Sequence, residues 1–236
     1  MRHVIVAGLT ASGKTTHCRH VAAVTGLEYV SGSAIRSRLF GDSFNGADDP
    51  KFWRTEQAEV LDTQRVVDMP PVDLEVEEEL IRLARESQGA VFDTWVLPWL
   101  YRDDSLCVYL RNPASQRARR VADSTDPETL RAAEKRIERK DWAAAEFFRR
   151  AYGVDIIRDM SPFDVILESD DHRDILPADS LHATSEWMAQ IATSALAGDG
   201  RGIRRLEESL TKDRGRRIKI WISESLKTRV SRQDSS

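Results

Sequence analysis

Residues 8–15 of this chain read Gly-Leu-Thr-Ala-Ser-Gly-Lys-Thr and match the pattern G-x-x-x-x-G-K-[ST]. They follow a short apolar run at residues 3–7 and precede a segment that can open a helix. Two glycines allow a tight turn, so that successive backbone amides and the helix N-terminus face one anion. The pattern predicts a loop that binds a nucleoside triphosphate.

Within this loop, Lys14 is predicted to reach the β- and γ-phosphates, and the Thr15 hydroxyl to ligate Mg²⁺. ATP and Mg²⁺ are therefore the expected donor and metal. The nucleotide-binding residues predicted in and beside the loop are Gly8, Ala11, Ser12, Gly13, Lys14, Thr15 and Thr16.

Apolar runs at residues 3–7, 27–31, 89–93, 106–110 and 163–167 predict five strands. Helical segments between them favour an α/β fold, with a parallel sheet covered by helices on both faces. Three segments stand apart from this framework. They are a Gly-, Asp- and Pro-rich insertion or acceptor-side cap at 41–71, a basic helical lid at 114–152, and a C-terminal extension at 199–236.

The net charge of −4 over 236 residues conceals an asymmetry, because residues from 200 onward contain eleven Lys and Arg against five Asp and Glu. A basic segment can attract nucleic acid, but a solvated extension is the commoner explanation. No apolar run approaches the roughly 20 residues that cross a bilayer, so no membrane partner is expected. The first strand leaves no room for a leader, and we expect a cytoplasmic protein.

Ligands of parallel sheets bind beyond the carboxyl ends of the strands. Asp93 ends such a strand and is predicted to hold Mg²⁺ together with Thr15; capping of the next turn is the alternative. A second anion site, for the phosphate acceptor, is predicted where a helix N-terminus and a guanidinium coincide. Its residues are Ser31, Gly32, Ser33 and Arg36. Trp95 follows Asp93 by two residues and is predicted to lie near the acceptor and stack on it.

The basic segment at 114–152 contains many Arg and Lys, most of which can form solvated helix faces paired with Glu. Phosphoryl transfer nevertheless requires cations around the transferring group, and a mobile lid would also exclude water. Arg136 and Arg139, one turn apart, are the predicted catalytic cations beside Lys14 and Asp93. Arg117 and Arg120, at the start of the segment, are predicted to bind the nucleotide.

Over about residues 3–195 the chain resembles the cytidylate kinases, in particular their compact archaeal-type branch of the nucleoside monophosphate kinases. The resemblance rests on the phosphate loop and on five further stretches: residues 29–32 with 35–36, 91–93, 136–141, 152–155 and 161–166. It implies a P-loop kinase fold over residues 1–198 and transfer of a phosphoryl group from ATP to a CMP- or dCMP-like nucleotide.

Two departures from the family pattern concern the acceptor. Where the family has Glu/Asp-Gly-Arg, this chain has Asp93-Thr94-Trp95, so a phosphate-gripping guanidinium is replaced by an indole. A further lid Arg is absent, since alanines occupy 143–145. These changes leave open a modified nucleotide, a small-molecule kinase in which Asp93 serves as base toward an alcohol, and a nucleotide-binding regulatory or nucleic-acid-associated protein.

Overall fold

The computed structural model describes residues 1–40, 71–122, 126–169, 177–212 and 218–233. The predicted insertion at 41–71 lies outside these ranges except for Pro71, which begins a helix. No helix within the described ranges combines the length and apolar character needed to span a bilayer.

A six-stranded sheet forms the centre of the fold, in the order β2-β3-β1-β4-β5-β6. The first five strands are parallel, and β6 runs antiparallel to β5. The strands are β1 (His3–Gly8), β2 (Glu28–Ser31), β3 (Ala90–Asp93), β4 (Ser105–Arg111), β5 (Val165–Ser169) and β6 (Ile218–Ile222). The five predicted strands are confirmed, and the expected sheet gains a sixth.

Helices connect the parallel strands. They are α1 (Lys14–Thr25), α2 (Gly32–Phe40), α3 (Pro71–Glu86), α4 (Leu97–Leu100), α5 (Ala114–Ala122), α6 (Pro127–Tyr152), α7 (Pro177–Leu196), α8 (Gly200–Lys212) and α9 (Glu224–Gln233). The predicted basic segment is thus two helices. Asp126 caps the second of them by accepting the Thr129 N–H at 2.8 Å, and Gly153 ends it in the left-handed region at a φ of 69°.

The two faces of the sheet each bury an apolar layer. Along β1, Val4 and Val6 join the layer formed with α1 and α7, whereas Ile5 and Ala7 join the layer formed with α3 and α4. This alternation follows from the two-residue period of a strand, and because every residue of β1 is buried, this strand lies at the middle of the core.

The C-terminal segment is part of this core. β6 extends the sheet, and Ile203, Ile222, Leu226 and Val230 are buried in the same layer as α1 and α7. Sequence analysis missed this strand because Ile218–Ile222 lies in a basic region, where charge suggested a solvated extension.

Charged groups of the C-terminal segment are used within the fold. Arg229 pairs with the buried carboxylate of Asp164, and the Lys227 ammonium lies 2.7 Å from Glu207 and 2.8 Å from Glu224. Asp164 also accepts the Cys107 N–H at 3.0 Å. These pairs give Lys227 and Arg229 a role within the fold. A nucleic-acid-associated role for the C-terminal segment stays a prediction.

Candidate active site

The loop at residues 8–15 joins β1 to α1 and has the compact form that its sequence predicts. Gly13 adopts a φ of 95°, and Ala11 a φ of 57°, which non-glycine residues rarely occupy. A Cβ on Gly8 would lie 2.8 Å from Ser12 Oγ and 2.9 Å from the Leu110 carbonyl oxygen, so only glycine fits there. The hydroxyls of Thr10 and Ser12 are buried without a hydrogen-bond partner among the described residues, which fits a loop built to bind an anion.

Lys14 places its ammonium inside the loop. Nζ donates to the carbonyl oxygens of Gly8 at 2.8 Å and Leu9 at 3.1 Å, and it lies 5.0 Å from the centre of the Trp95 ring. The side chain as a whole is half-buried. Burial therefore lowers the Lys14 pKa, although the charge of Asp93 acts in the opposite direction.

Asp93 ends β3 next to the loop. Its Oδ2 accepts a hydrogen bond from the Thr15 hydroxyl at 2.7 Å, although 78 residues separate the two in sequence. The structure therefore brings together the two predicted metal ligands. A hydroxyl and a carboxylate are hard oxygen donors, and Mg²⁺ bound by phosphates commonly takes one or two such ligands from the protein. The residues present fit a magnesium ion.

Arg117 supports the loop from its outer side. Its Nη1 donates to the Thr10 carbonyl oxygen at 2.8 Å and to Asp141 Oδ2 at 2.7 Å, and its Nε donates to the Asn112 carbonyl oxygen at 3.0 Å. Asp141 also accepts the Thr10 N–H on Oδ1 at 2.9 Å. Arg117 thus holds the shape of the loop in this structure, and direct contact with a nucleotide stays a prediction.

Arg120 occupies a similar position one turn further along α5. Its Nη1 donates to the Ser12 carbonyl oxygen at 2.9 Å, while the side-chain amide of Asn112 donates to the same carbonyl at 2.8 Å. Burial, with the charge of Arg117 adding to it, lowers the Arg120 pKa to about 10.

Asp141 and Asn112 are site residues that sequence reasoning missed. Asp141 belongs to the 136–141 stretch on which the family resemblance rests, so that stretch was the available signal. Asn112 follows β4 directly, as Asp93 ends β3, and the end of a parallel strand was the signal for it.

The predicted acceptor residues lie on the neighbouring strand. Ser31 pairs in register with Asp93, so both reach the same edge of the sheet. The Ser31 and Ser33 hydroxyls are 2.8 Å apart, and α2 begins between them at Gly32. Arg36 is only 8% exposed and lies one turn into α2. This arrangement combines a helix N-terminus with a buried cation, as the anion-site prediction requires.

Trp95 lies between the loop and α6. Its ring centre is 6.4 Å from that of Phe148, and it packs at the edge of an apolar cluster that includes Val96 and Phe147. With Lys14 over its ring, the indole occupies the region beside the loop where the family resemblance implies an arginine.

The structure does not place Arg139 against the loop. Asp141 and Lys140 are buried, whereas Arg139 is exposed. Arg139 precedes Asp141 by two residues, so its side chain lies about 200° around the axis of α6 from that of Asp141. Arg139 lines an open cavity of about 580 Å³ together with Lys135, Glu138 and Trp142. Arg136 is partly exposed. The catalytic roles of Arg136 and Arg139 stay predictions.

The parallel sheet, the phosphate-binding loop and the adjacent Thr15–Asp93 pair define a P-loop kinase. A family model described as an AAA domain matches residues 4–141, more than half of the chain, and the chain belongs to that family. It is a cytidylate kinase-like, ATP-dependent kinase.

Two archaeal cytidylate kinases are among the proteins similar to this chain. The cytidylate kinase of Aeropyrum pernix is 28% identical over 155 residues, covering 64% of this chain and 81% of its own length. That of Pyrobaculum aerophilum is 28% identical over 167 residues, covering 70% and 83%. An uncharacterized protein from Eubacterium ventriosum has the same fold, with a TM-score of 0.51 at 9% identity, covering 79% of this chain and 97% of its own.

Proposed function

We propose that this kinase transfers the γ-phosphoryl group of ATP to a nucleoside monophosphate of the CMP or dCMP type, or to a modified form of such a nucleotide. The observation that carries the proposal is that the residues of two predicted anion sites meet at one edge of the sheet. The loop with Lys14 would form one site, and the start of α2 with Arg36 would form the other. Asp93 is hydrogen-bonded to Thr15 of the loop and pairs in register with Ser31.

On the donor side, the loop amides and Lys14 would bind the β- and γ-phosphates of ATP. The Lys14 ammonium already lies among loop carbonyl groups, which holds it within reach of the phosphate position. Thr15 and Asp93 would hold Mg²⁺, and the ion when bound neutralises charge on the phosphates. Arg117 and Arg120 would keep the loop in its binding conformation.

On the acceptor side, the Ser31–Ser33 turn and Arg36 would hold the 5′-phosphate. A phosphate oxygen is already a nucleophile, so a nucleotide acceptor requires no dedicated base. The register of Ser31 with Asp93 would bring both substrates to one edge of the sheet. Such positioning supplies much of the rate enhancement in phosphoryl transfer. Arg136 and Arg139 would approach the transferring group after a movement of α6 or of their side chains.

A second candidate is a kinase for a small molecule that lacks a 5′-phosphate. Trp95 favours it, because an indole provides an apolar flat surface and cannot grip a phosphate with two parallel hydrogen bonds as arginine does. In that case the acceptor is an alcohol, and Asp93 is the nearest base.

The experiment measures the release of ADP by the purified protein in the presence of ATP and Mg²⁺. The acceptors tested are CMP, dCMP, UMP, AMP and GMP, and a reaction without acceptor is the control. Strong stimulation by CMP or dCMP supports the proposal. ATP binding without stimulation by any of the five contradicts an unmodified acceptor and favours the second candidate.

A further inference from the structure

Tyr29 contacts the predicted metal-binding carboxylate, although sequence analysis did not select it. Its hydroxyl donates to Asp93 Oδ2 at 3.1 Å, and the Thr15 hydroxyl donates to the same oxygen at 2.7 Å. Tyr29 lies on β2 two residues before Ser31, which pairs in register with Asp93, so the Tyr29 and Asp93 side chains lie on the same face of the sheet.

The two hydroxyls constrain how the carboxylate can face the loop. A carboxylate oxygen has two lone pairs, and Thr15 and Tyr29 together use both of them on Oδ2. Rotation of the Asp93 carboxylate would break both bonds. Within the described residues, the side-chain hydrogen bonds to Asp93 end on Oδ2, which leaves Oδ1 for a cation or its bound water.

A second contact helps to hold the Tyr29 ring in place. The Arg19 guanidinium lies 5.5 Å from the centre of the ring, at a distance typical of a cation–π contact. The phenolic hydroxyl can then donate its hydrogen bond to Asp93 Oδ2 from a fixed position.

We propose that Tyr29 is a positioning residue that orients the Asp93 carboxylate toward the divalent cation accompanying the nucleotide. This inference rests on the magnesium site in the proposed function, but it does not depend on the identity of the acceptor. Tyr29 acts through Asp93 and need not touch ATP, the acceptor or the metal.

The test compares ATP binding in the presence of Mg²⁺ and in the presence of EDTA, by isothermal titration calorimetry. Tyr29→Phe should bind metal-free ATP as the parent does, and should lose about ten- to a hundredfold of the affinity that Mg²⁺ adds, the loss expected for one hydrogen bond to a charged group. Tyr101→Phe is the matched control. It removes another tyrosine hydroxyl, one that accepts a hydrogen bond from Arg2 beside the opposite end of β1, and it should behave as the parent.

A double-mutant cycle separates positioning from general packing. In an Asp93→Asn background, Tyr29→Phe should cause no further loss of the Mg²⁺ effect, and thermal melting should confirm that each variant is folded. An unchanged Mg²⁺ effect in Tyr29→Phe, or an equal further loss in the Asp93→Asn background, overturns the inference.

The outcome is separable from that of the proposed function. If the parent binds ATP in a magnesium-dependent way but turns over no monophosphate, the proposal of a nucleotide acceptor is contradicted. The binding measurements would still test the role of Tyr29. Absence of any Mg²⁺ effect in the parent would contradict the inference and the metal assignment together.

Discussion

Arg117 on α5 and Asp141 on α6 form an ion pair with 2.7 Å between Nη1 and Oδ2, and the two side chains are 5% and 6% exposed. Asp141 also accepts the Thr10 N–H, so the pair joins both helices of the basic segment to the phosphate loop. Further along α6, Phe148 packs near Trp95. The segment predicted as a mobile lid is therefore anchored to the site at two points in this structure.

Removal of one partner of this buried pair should destabilise the protein strongly. Arg117→Met leaves the Asp141 charge buried without its partner, and such changes cost about 3–5 kcal/mol. The free energy of unfolding, measured by urea denaturation, should fall by that amount, and ATP affinity should fall with it because the Thr10 carbonyl also loses its donor.

Arg149→Met is the control for that experiment. Arg149 pairs with Glu146 on the same helix but is 62% exposed, and exposed pairs contribute about 0–1 kcal/mol. Equal losses in the two variants would mean that the buried pair has no special role.

Replacement of Lys14 should abolish phosphoryl transfer without unfolding the chain. Lys14→Ala removes the cation expected on the β- and γ-phosphates, and loss of one such group costs about 10²-fold or more in kcat. ADP release is the measurement, and Lys219→Ala, on an exposed lysine of β6, is the control. Full turnover by Lys14→Ala would refute the assignment of the loop.

Trp95→Arg tests the acceptor site. If the indole replaces an arginine that binds the acceptor phosphate in the family, Trp95→Arg should raise kcat/KM for the monophosphate that the parent uses best. The expected gain is about tenfold, for one charge-assisted contact. Trp221→Arg, on a tryptophan that is 51% exposed on β6, controls for the added charge. No improvement would show that Trp95 does not replace a clamp, or that other residues determine the acceptor.

The C-terminal segment should be required for stability. Leu226 is fully buried, and Leu226→Ala is expected to lower the free energy of unfolding by about 2–5 kcal/mol. Val24→Ala, at a position that is 53% exposed on α1, should change it by less than about 0.5 kcal/mol. Deletion of residues 200–236 removes β6 as well, and a fully stable truncated protein would contradict this account.

His17 makes stability depend on pH. Burial lowers its pKa to about 3 in the folded protein, from 6.5 in the unfolded chain, and its Nδ1 lies 2.7 Å from the Ser185 hydroxyl. As the pH falls, His17 therefore binds a proton in the unfolded chain before it does so in the folded protein. The stability that neutral His17 contributes above pH 6.5 is lost as the pH falls toward 3. Between pH 7.5 and 5 the loss from this group is about 2 kcal/mol. His17→Gln should reduce the pH dependence by that amount in urea denaturation at the two pH values, and an unchanged dependence would contradict it.

Much of the fold could be predicted because its signals are local. Glycine spacing in residues 8–15 and short apolar runs depend on neighbouring residues, and parallel topology follows from the alternation of strands and helices. β6 was missed because Ile218–Ile222 has its apolar pattern within a basic region, and its partner β5 lies some fifty residues earlier.

The sequence by itself determined the phosphate loop, the five parallel strands and the edge of the sheet at which the ligands meet, since each depends on short-range pattern and on a general rule of chain topology. Tertiary structure alone decided which side chains share a hydrogen bond. Thr15 and Tyr29 meet on one oxygen of Asp93, and Arg117 meets Asp141 under the loop. The pairs with Asp93 are separated by 78 and 64 residues. Periodicity indicates that a residue is buried or lies at a strand end, but it cannot specify the partner, because the partner is determined by strand order, register and helix packing.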